Sequence, residues 1–200
     1  IGKGRFPETA DILQRFIEQT LAPQDLAGQK VLVSAGGTRE AIDPVRFIGN
    51  RSTGIQGIAI AEAALARGAE VTLVIANSAL PSNPKIARID VESVSDMKSA
   101  LESHFPSTDY LFMSAAVSDA RPVHTAPEKI KKADFRSIEL VENTDVLKSI
   151  TANKLQQLVV AFAAETDSDS IAEAQAKMAR KGADVIYLNN VSGGAIFGAT

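Results

Sequence analysis

The chain alternates between two hydrophobic rhythms. Nearly continuous apolar runs stand at Lys30–Ala35 (KVLVSA), Glu70–Ala76 (EVTLVIA), Tyr110–Ala116 (YLFMSAA), Leu158–Ala164 (LVVAFAA) and Asp184–Asn190 (DVIYLNN). Runs of this length predict parallel strands covered on both faces. Between them, helices are expected over Thr53–Arg67, Ser95–Phe105, Asp145–Asn153 and Ser168–Lys181, with Gly68 and Gly182 as C-terminal stops. Shorter strands are expected near ARIDV and SIELV. The alternation predicts an α/β fold, doubly wound and Rossmann-like, with a mostly parallel open sheet and helices on both faces. Ahead of it, Ile12, Leu13, Phe16 and Ile17 fall at helical spacing within Glu8–Thr20, and LAPQDLAGQK follows as a linker. Residues 1–25 thus read as helix and linker, and 26–200 as the main domain.

Composition narrows the chemistry. With 200 residues, 45% of them hydrophobic and 22% charged, the chain can bury a substantial core. A net charge of -3 gives no global attraction to nucleic acid or to an anionic membrane, so neither is an expected partner. The absence of cysteine excludes disulfides, thiolate metal sites and a cysteine nucleophile, and suits a reducing cytoplasm, the expected location. His104 and His124 have no neighbouring ligand or nucleophile motif and read as structural or solvated. No apolar run approaches the roughly 20 residues that span a bilayer as a helix.

In an open parallel sheet, ligands bind beyond the carboxyl ends of the strands. The first such loop, GGTREAIDPVRFIGNRSTG, is too long for a dinucleotide turn and carries Arg39, Arg46 and Arg51. Ser52 or Thr53 would cap the next helix, and Gly54 would let a phosphate approach its N–H groups. The second, SAAVSDARPVHTAPEKIKK, places small Ser114 and Ala115 where a flat base could lie and Asp119 where it could meet a ribose hydroxyl or metal. Its Lys129, Lys131 and Lys132 supply cations for phosphoryl chemistry, although alone they would read as a solvated run. In VENTDVL, Asn143 is placed to cap a helix with Asp145 in its first turn. Phe162 could stack on a base, and Lys177 and Lys181 share a helix face. A nicotinamide oxidoreductase is the weaker alternative, because the glycines are dispersed and EVTLVIANS ends without the ribose-binding acid. A non-catalytic nucleotide-binding domain is another alternative.

Taken in order, GGTREAIDPVRFIGNRSTG, AAVSDARP…EKIKK, NTDVL, FAAETD and LNNVS resemble the bacterial phosphopantothenate–cysteine ligase family, over about residues 26–200. The leading GKGRFPE resembles the tail of the FMN-containing decarboxylase domain fused to that ligase in coenzyme A biosynthesis. The resemblance implies that a decarboxylase domain precedes this chain and that further strands follow it. It implies CTP, 4′-phosphopantothenate, L-cysteine and Mg²⁺ as reaction components, an acyl-cytidylate intermediate, and a homodimer. It places Asn50 and Arg46 at the acyl group and Lys129 on a flexible lid. Ser52, Gly54, Met113, Ser114, Ala115, Asp119, Asn143, Thr144, Asp145, Val146, Phe162, Lys177 and Lys181 fall at its CTP contacts. Asp119 is also its metal position, with Mg²⁺ held mainly by phosphate oxygens. The chain departs from the family pattern at Ile55, Thr144, Ala161 and Asn190; Thr144 and Ala161 fall at the base pocket, which leaves CTP against ATP preference open.

Overall fold

The computed structural model describes residues 23–165 and 170–190, together with Thr9 and Leu13. The expected first helix lies outside the described residues apart from Thr9 and Leu13, which are both helical. The apolar runs form strands β1 (Lys30–Gly36), β4 (Glu70–Ala76), β6 (Tyr110–Met113), β9 (Leu158–Glu165) and β10 (Val185–Asn190). β5 (Ala87–Val91) coincides with the expected short strand ARIDV. Together they make a six-stranded sheet in the order β10-β9-β6-β1-β4-β5, with every pairing parallel. Renumbered along the chain and read from the β5 edge, that order is 3-2-1-4-5-6, the doubly wound order of dinucleotide-binding folds. Two antiparallel pairs stand outside it: β2 (Arg39–Ala41) with β3 (Phe47–Gly49), and β7 (Ala120–Pro122) with β8 (Leu140–Glu142). β8 realises the end of SIELV, outside the main sheet.

Two cores explain why these runs settle as they do. On one face, α1 (Ile55–Ala66) buries Gly57, Ile58, Ala61 and Ala64 against Val31, Val33, Leu73 and Ile75 of β1 and β4. The small residues along this stripe let the helix lie close to the sheet. On the other face, α2 (Val94–His104) supplies Val94, Met97 and Leu101. α3 (Val146–Thr151) supplies Val146, Leu147 and Ile150, and α4 (Ser170–Lys181) brings Met178 against the same cluster. Each fully buried Leu contributes roughly 2 kcal/mol of transfer free energy.

α2 starts one residue earlier than expected because Ser93 and Asp96 form a capping box, each side chain bonding the other's backbone N–H (3.1 and 2.9 Å). His104 closes this helix with Nδ1 2.8 Å from Ala100 O, consistent with a structural role. From Gln24 the chain is bound to the domain rather than free: Gln24 Nε2 and Leu26 N donate to Ala66 O and Arg67 O, and Arg67 pairs with Asp25. Among the described residues, no helix is long and apolar enough to cross a membrane.

Candidate active site

The chain reverses direction across the sheet between β1 and β6, and their carboxyl ends open the crevice where open sheets bind ligands. At the end of β1, Gly36 has φ 74°, and a Cβ there would stand 2.0 Å from Ala76 O, so only glycine turns the chain. The β2–β3 hairpin follows. Its root lies over the ends of β4 and β5: Arg39 N donates to Glu92 O (2.9 Å), and the buried Glu40 accepts from Val94 N (2.8 Å). Asn77, in a left-handed conformation at φ 50°, donates to Gly37 O (2.8 Å) and Glu92 O (3.0 Å) and seals the root. The hairpin returns the chain to exposed Asn50, Arg51, Ser52 and Thr53 at the start of α1.

The loop after β6 is stitched to this stretch. A parallel bridge joins Gly37 to Ala116, with Ala116 N donating to Gly36 O (2.8 Å) and Thr38 N donating to Ala116 O (3.2 Å). Ala115 N donates to the buried Ser34 hydroxyl (3.2 Å), whose own contact is the Met113 sulfur at 3.6 Å. Ser118 N donates to the Thr38 hydroxyl (2.9 Å), and Asn50 Nδ2 donates to Val117 O (3.0 Å). Asn143 joins the same loop, its side chain donating to Ser118 O (3.0 Å) and its backbone N to Asp119 O (2.8 Å). The Ser114 hydroxyl is 3.4 Å from Gln56 Oε1 on the first turn of α1. Asn50, Met113, Ser114, Ala115, Asp119 and Asn143 are therefore gathered on one rim.

Arg46 sits in the turn of the hairpin, half-buried, with Nη1 3.1 Å from the fully buried Asp43 carboxylate. Nη2 donates to Ile130 O (3.3 Å), and the guanidinium lies 4.1 Å over the Phe135 ring. Burial opposes ionisation of Asp43, yet N–H donors from Val45, Ile130 and Arg46, with the Arg46 charge, hold its carboxyl below the usual range. Lys129, Lys131 and Lys132 on this segment are exposed and take part in no ion pair among the described residues.

The remaining positions lie around α3 and α4. Phe162 stacks on Tyr187 at 5.6 Å between centroids and 20° between planes. It lines a cavity of about 40 Å³ with Leu147, Ala161, Met178, Lys181, Ala183 and Ile186. Lys181 reaches Asp145 at 3.1 Å, closing the space between the two helices. Lys177 belongs to α4 one turn before Lys181, and its side chain lies outside the described residues.

Comparison with known proteins places this geometry. The family model described as the DNA/pantothenate metabolism flavoprotein C-terminal domain matches residues 26–200. The chain belongs to this family. Mycobacterium tuberculosis (strain ATCC 25618 / H37Rv) has a coenzyme A biosynthesis bifunctional protein CoaBC that is 43% identical over 212 residues, covering 98% of this chain and 51% of the relative. The protein of the same description from Mycolicibacterium smegmatis is 44% identical over 206 residues, covering 95% of this chain and 50% of the relative. The chain thus spans about half the length of these curated relatives. A crystal structure of the C-terminal domain of a coenzyme A biosynthesis bifunctional protein CoaBC superposes with a TM-score of 0.74 at 39% identity, covering 84% of this chain and 80% of that one.

Within this pantothenate-metabolism flavoprotein domain, several local expectations are revised. The N-cap of α1 is Gly54 at φ 83°, and the helix begins at Ile55; Ser52 does not cap it, and Thr53 only supplements the entry, its hydroxyl accepting from Ile55 N at 3.4 Å. The glycine's left-handed backbone sets the helix entry that a serine cap would otherwise set. Likewise Asp145, not Asn143, caps α3, accepting from Lys148 N at 3.1 Å, because Asn143 is engaged by the β6 loop. Val146 is buried, so its side chain belongs to the core and not to the rim. Three polar residues at this site were not singled out from sequence. Thr38 and Ser118 are joined across 80 positions and carry no motif, whereas Asp43, three residues before Arg46 and followed by Pro44, has the signature of a side chain closing its own turn.

Proposed function

We propose that this domain joins 4′-phosphopantothenate to L-cysteine, using CTP. In the first half, the substrate carboxylate oxygen bonds to the α-phosphorus of CTP and pyrophosphate leaves. In the second, the neutral cysteine amine bonds to the acyl carbon, CMP leaves with the electron pair of the broken C–O bond, and the amine gives up a proton. A carboxylate alone would have to expel oxide; the cytidylate supplies a stable leaving group. The work left to the protein is positioning and charge stabilisation.

The observation that carries the reading is the seam between the two loops. Asn50, assigned to the acyl-cytidylate, is bonded to Val117 O in the loop assigned to the nucleotide. One residue thus touches both halves of the intermediate's site. The N–H groups of the first turn of α1, where only Ile55 N has a side-chain acceptor, Thr53 Oγ1 at 3.4 Å, suit the triphosphate, and Lys129 stands exposed to reach over it. The Phe162 cavity, about 40 Å³, has room for roughly three waters, and the cytosine is placed across its mouth, beside the backbone of Met113, Ser114 and Ala115. Asn143, Thr144 and Asp145 lead into α3 on the same side, and Lys181, with Lys177 a turn earlier, approaches from α4.

Among the described residues, no group of three His, Cys, Asp or Glu side chains is assembled to cage a metal. Mg²⁺ carried on a nucleotide asks the protein for one or two carboxylates, and the exposed Asp119 is the carboxylate among the residues gathered on this rim. Bound there, the ion would neutralise charge on the phosphates. Exposed Phe47 and Val45 on one hairpin and Leu140 and Val141 on the other support an assembly contact with a second copy. The proposed setting is a cytoplasmic bifunctional protein whose other half is an FMN-dependent decarboxylase.

The test is pyrophosphate release from the intact protein with phosphopantothenate, cysteine, Mg²⁺ and either CTP or ATP. Release with CTP that depends on phosphopantothenate is expected; none with either nucleotide removes the assignment. Asn50→Ala is expected to lower product formation by about 100-fold or more, the scale of one lost stabilising donor, with an unchanged circular dichroism spectrum. Full activity in that variant would remove Asn50 from the acyl site, whereas CTP binding by the parent without any pyrophosphate release would leave only a nucleotide-binding role.

A further inference from the structure

The lysine-bearing segment is docked at one residue. The Asp43 carboxylate accepts on Oδ1 from Val45 N and Arg46 N, both at 2.8 Å. On Oδ2 it accepts from Arg46 Nη1 at 3.1 Å and Ile130 N at 3.2 Å. Arg46 Nη2 in turn donates to Ile130 O. The two side chains together bind both backbone groups of Ile130, as a neighbouring strand would. Upstream, Ala126 N donates to Ile42 O (2.9 Å) and the Thr125 hydroxyl to Ala41 O (3.1 Å), while downstream Phe135 lies under the Arg46 guanidinium. Ile130 is the residue between Lys129 and Lys131, so the docking point lies at the centre of the cationic run.

We propose that Asp43 is a positioning residue for Lys129: its buried carboxylate holds Ile130 directly through N–H and, by orienting Arg46, through C=O, and so sets where Lys129 stands over the crevice. A surface aspartate would not serve. Accepting four donors on two oxygens requires a carboxylate, and burial keeps water from competing for the Ile130 N–H. What Lys129 contacts rests on the ligase reading above; the docking of the segment does not.

Asp43→Asn in the intact protein separates the two. If the amide nitrogen faces Ile130 N–H and Arg46, donor meets donor. If it faces the turn, the same clash falls on Val45 and Arg46, so either orientation breaks one half of the clamp with almost no change of volume. Limited trypsin digestion, with fragments mapped by mass spectrometry, is expected to cut after Lys129, Lys131 or Lys132 at least 10-fold faster than in the parent. Cleavage at other lysines and arginines should change by less than 2-fold. Equal acceleration at every site, or none at these three, overturns the docking role.

The second measurement is a double-mutant cycle on pyrophosphate release. Asp43→Asn is expected to lower kcat about 10-fold with a smaller change in the KM for CTP, and to add less than 2-fold to the loss in Lys129→Gln. Multiplying losses would show that Asp43 acts independently of Lys129 and overturn the proposal. If the parent protein releases no pyrophosphate at all, the ligase reading falls, and the tryptic pattern alone decides the docking.

Discussion

Gly54 combines two demands that no other residue meets. Its φ of 83° is left-handed, and a Cβ would sit 3.2 Å from Ile75 Cδ1 and 3.3 Å from Gly36 N. Gly54→Ala is expected to cost about 1–2 kcal/mol from the backbone alone, seen as a lower urea midpoint. It should also raise the KM for CTP, since a methyl pressed against Ile75, Gly36 and Ser78 would displace the helix entry and the N–H groups proposed to meet the phosphates. An unchanged midpoint would mean that the helix entry relaxes freely. At this scale the sequence was a partial guide. Glycine, arginine and lysine announce their chemistry by type, which is why Gly54, Arg46 and Lys129 stood out. Capping does not, because Ser52 and Thr53 before α1, and Asn143 and Asp145 before α3, all have oxygens that could accept a first-turn N–H, and backbone and tertiary contacts choose among them. Asn143 was taken by Ser118 O, a partner 25 positions away that no local pattern shows.

At the scale of elements, α3 is the short helix that joins two parts of the site. Asp145 caps it and also pairs with Lys181 of α4. Asp145→Ala should therefore destabilise the fold by about 1 kcal/mol through the lost cap, measured by urea titration, with the exposed part of the ion pair adding little. It should also weaken nucleotide binding, because Lys181 loses the partner that holds it beside the Phe162 cavity; a change in stability with CTP affinity intact would limit Asp145 to capping. The long apolar runs were legible as strands because burial on both faces leaves no polar alternation to misread. The hairpins were not. β2, β3 and β7 are three residues long, and their pairing is set by contacts across the crevice rather than by any run of their own. The expected helix over Ser168–Lys181 starts at Ser170 where described, and its C-terminal stop at Gly182 has the positive φ, 67°, expected of a C-cap glycine.

For the molecule as a whole, stability is tied to ionised carboxylates. Backbone and hydroxyl bonds from Ser93 hold Asp96 below its ordinary pKa, and Lys98 does the same for Glu102. Asp43 behaves likewise, its burial outweighed by its N–H donors and Arg46. Each group binds a proton more readily when the chain unfolds. Its contribution is therefore complete above the unfolded carboxylate range of about pH 4 and is lost as acid carries the pH through the lowered native values. The urea midpoint is expected to be flat from neutral pH to about pH 5 and to fall below about pH 4. A midpoint that rose on acidification would contradict these pairings.

The glycines that looked scattered along the chain are close to one another in space. Gly36 turns the strand, Gly54 opens the helix, and Gly57 lets α1 approach β1, where a Cβ would stand 2.4 Å from Ala35 Cβ. These are the three jobs of a dinucleotide fingerprint, and Gly54 and Gly57 keep its last spacing. The β2–β3 hairpin has been inserted between the first job and the second. Because its root rests on Glu92, Val94 and Asn77, it covers the ends of β4 and β5, where the first mononucleotide of a bound dinucleotide lies. The crevice is thereby halved: the protein's own backbone fills the place of one nucleotide, and the other half, over β6 and β9, is where the proposed function seats a single nucleotide and the molecule it activates.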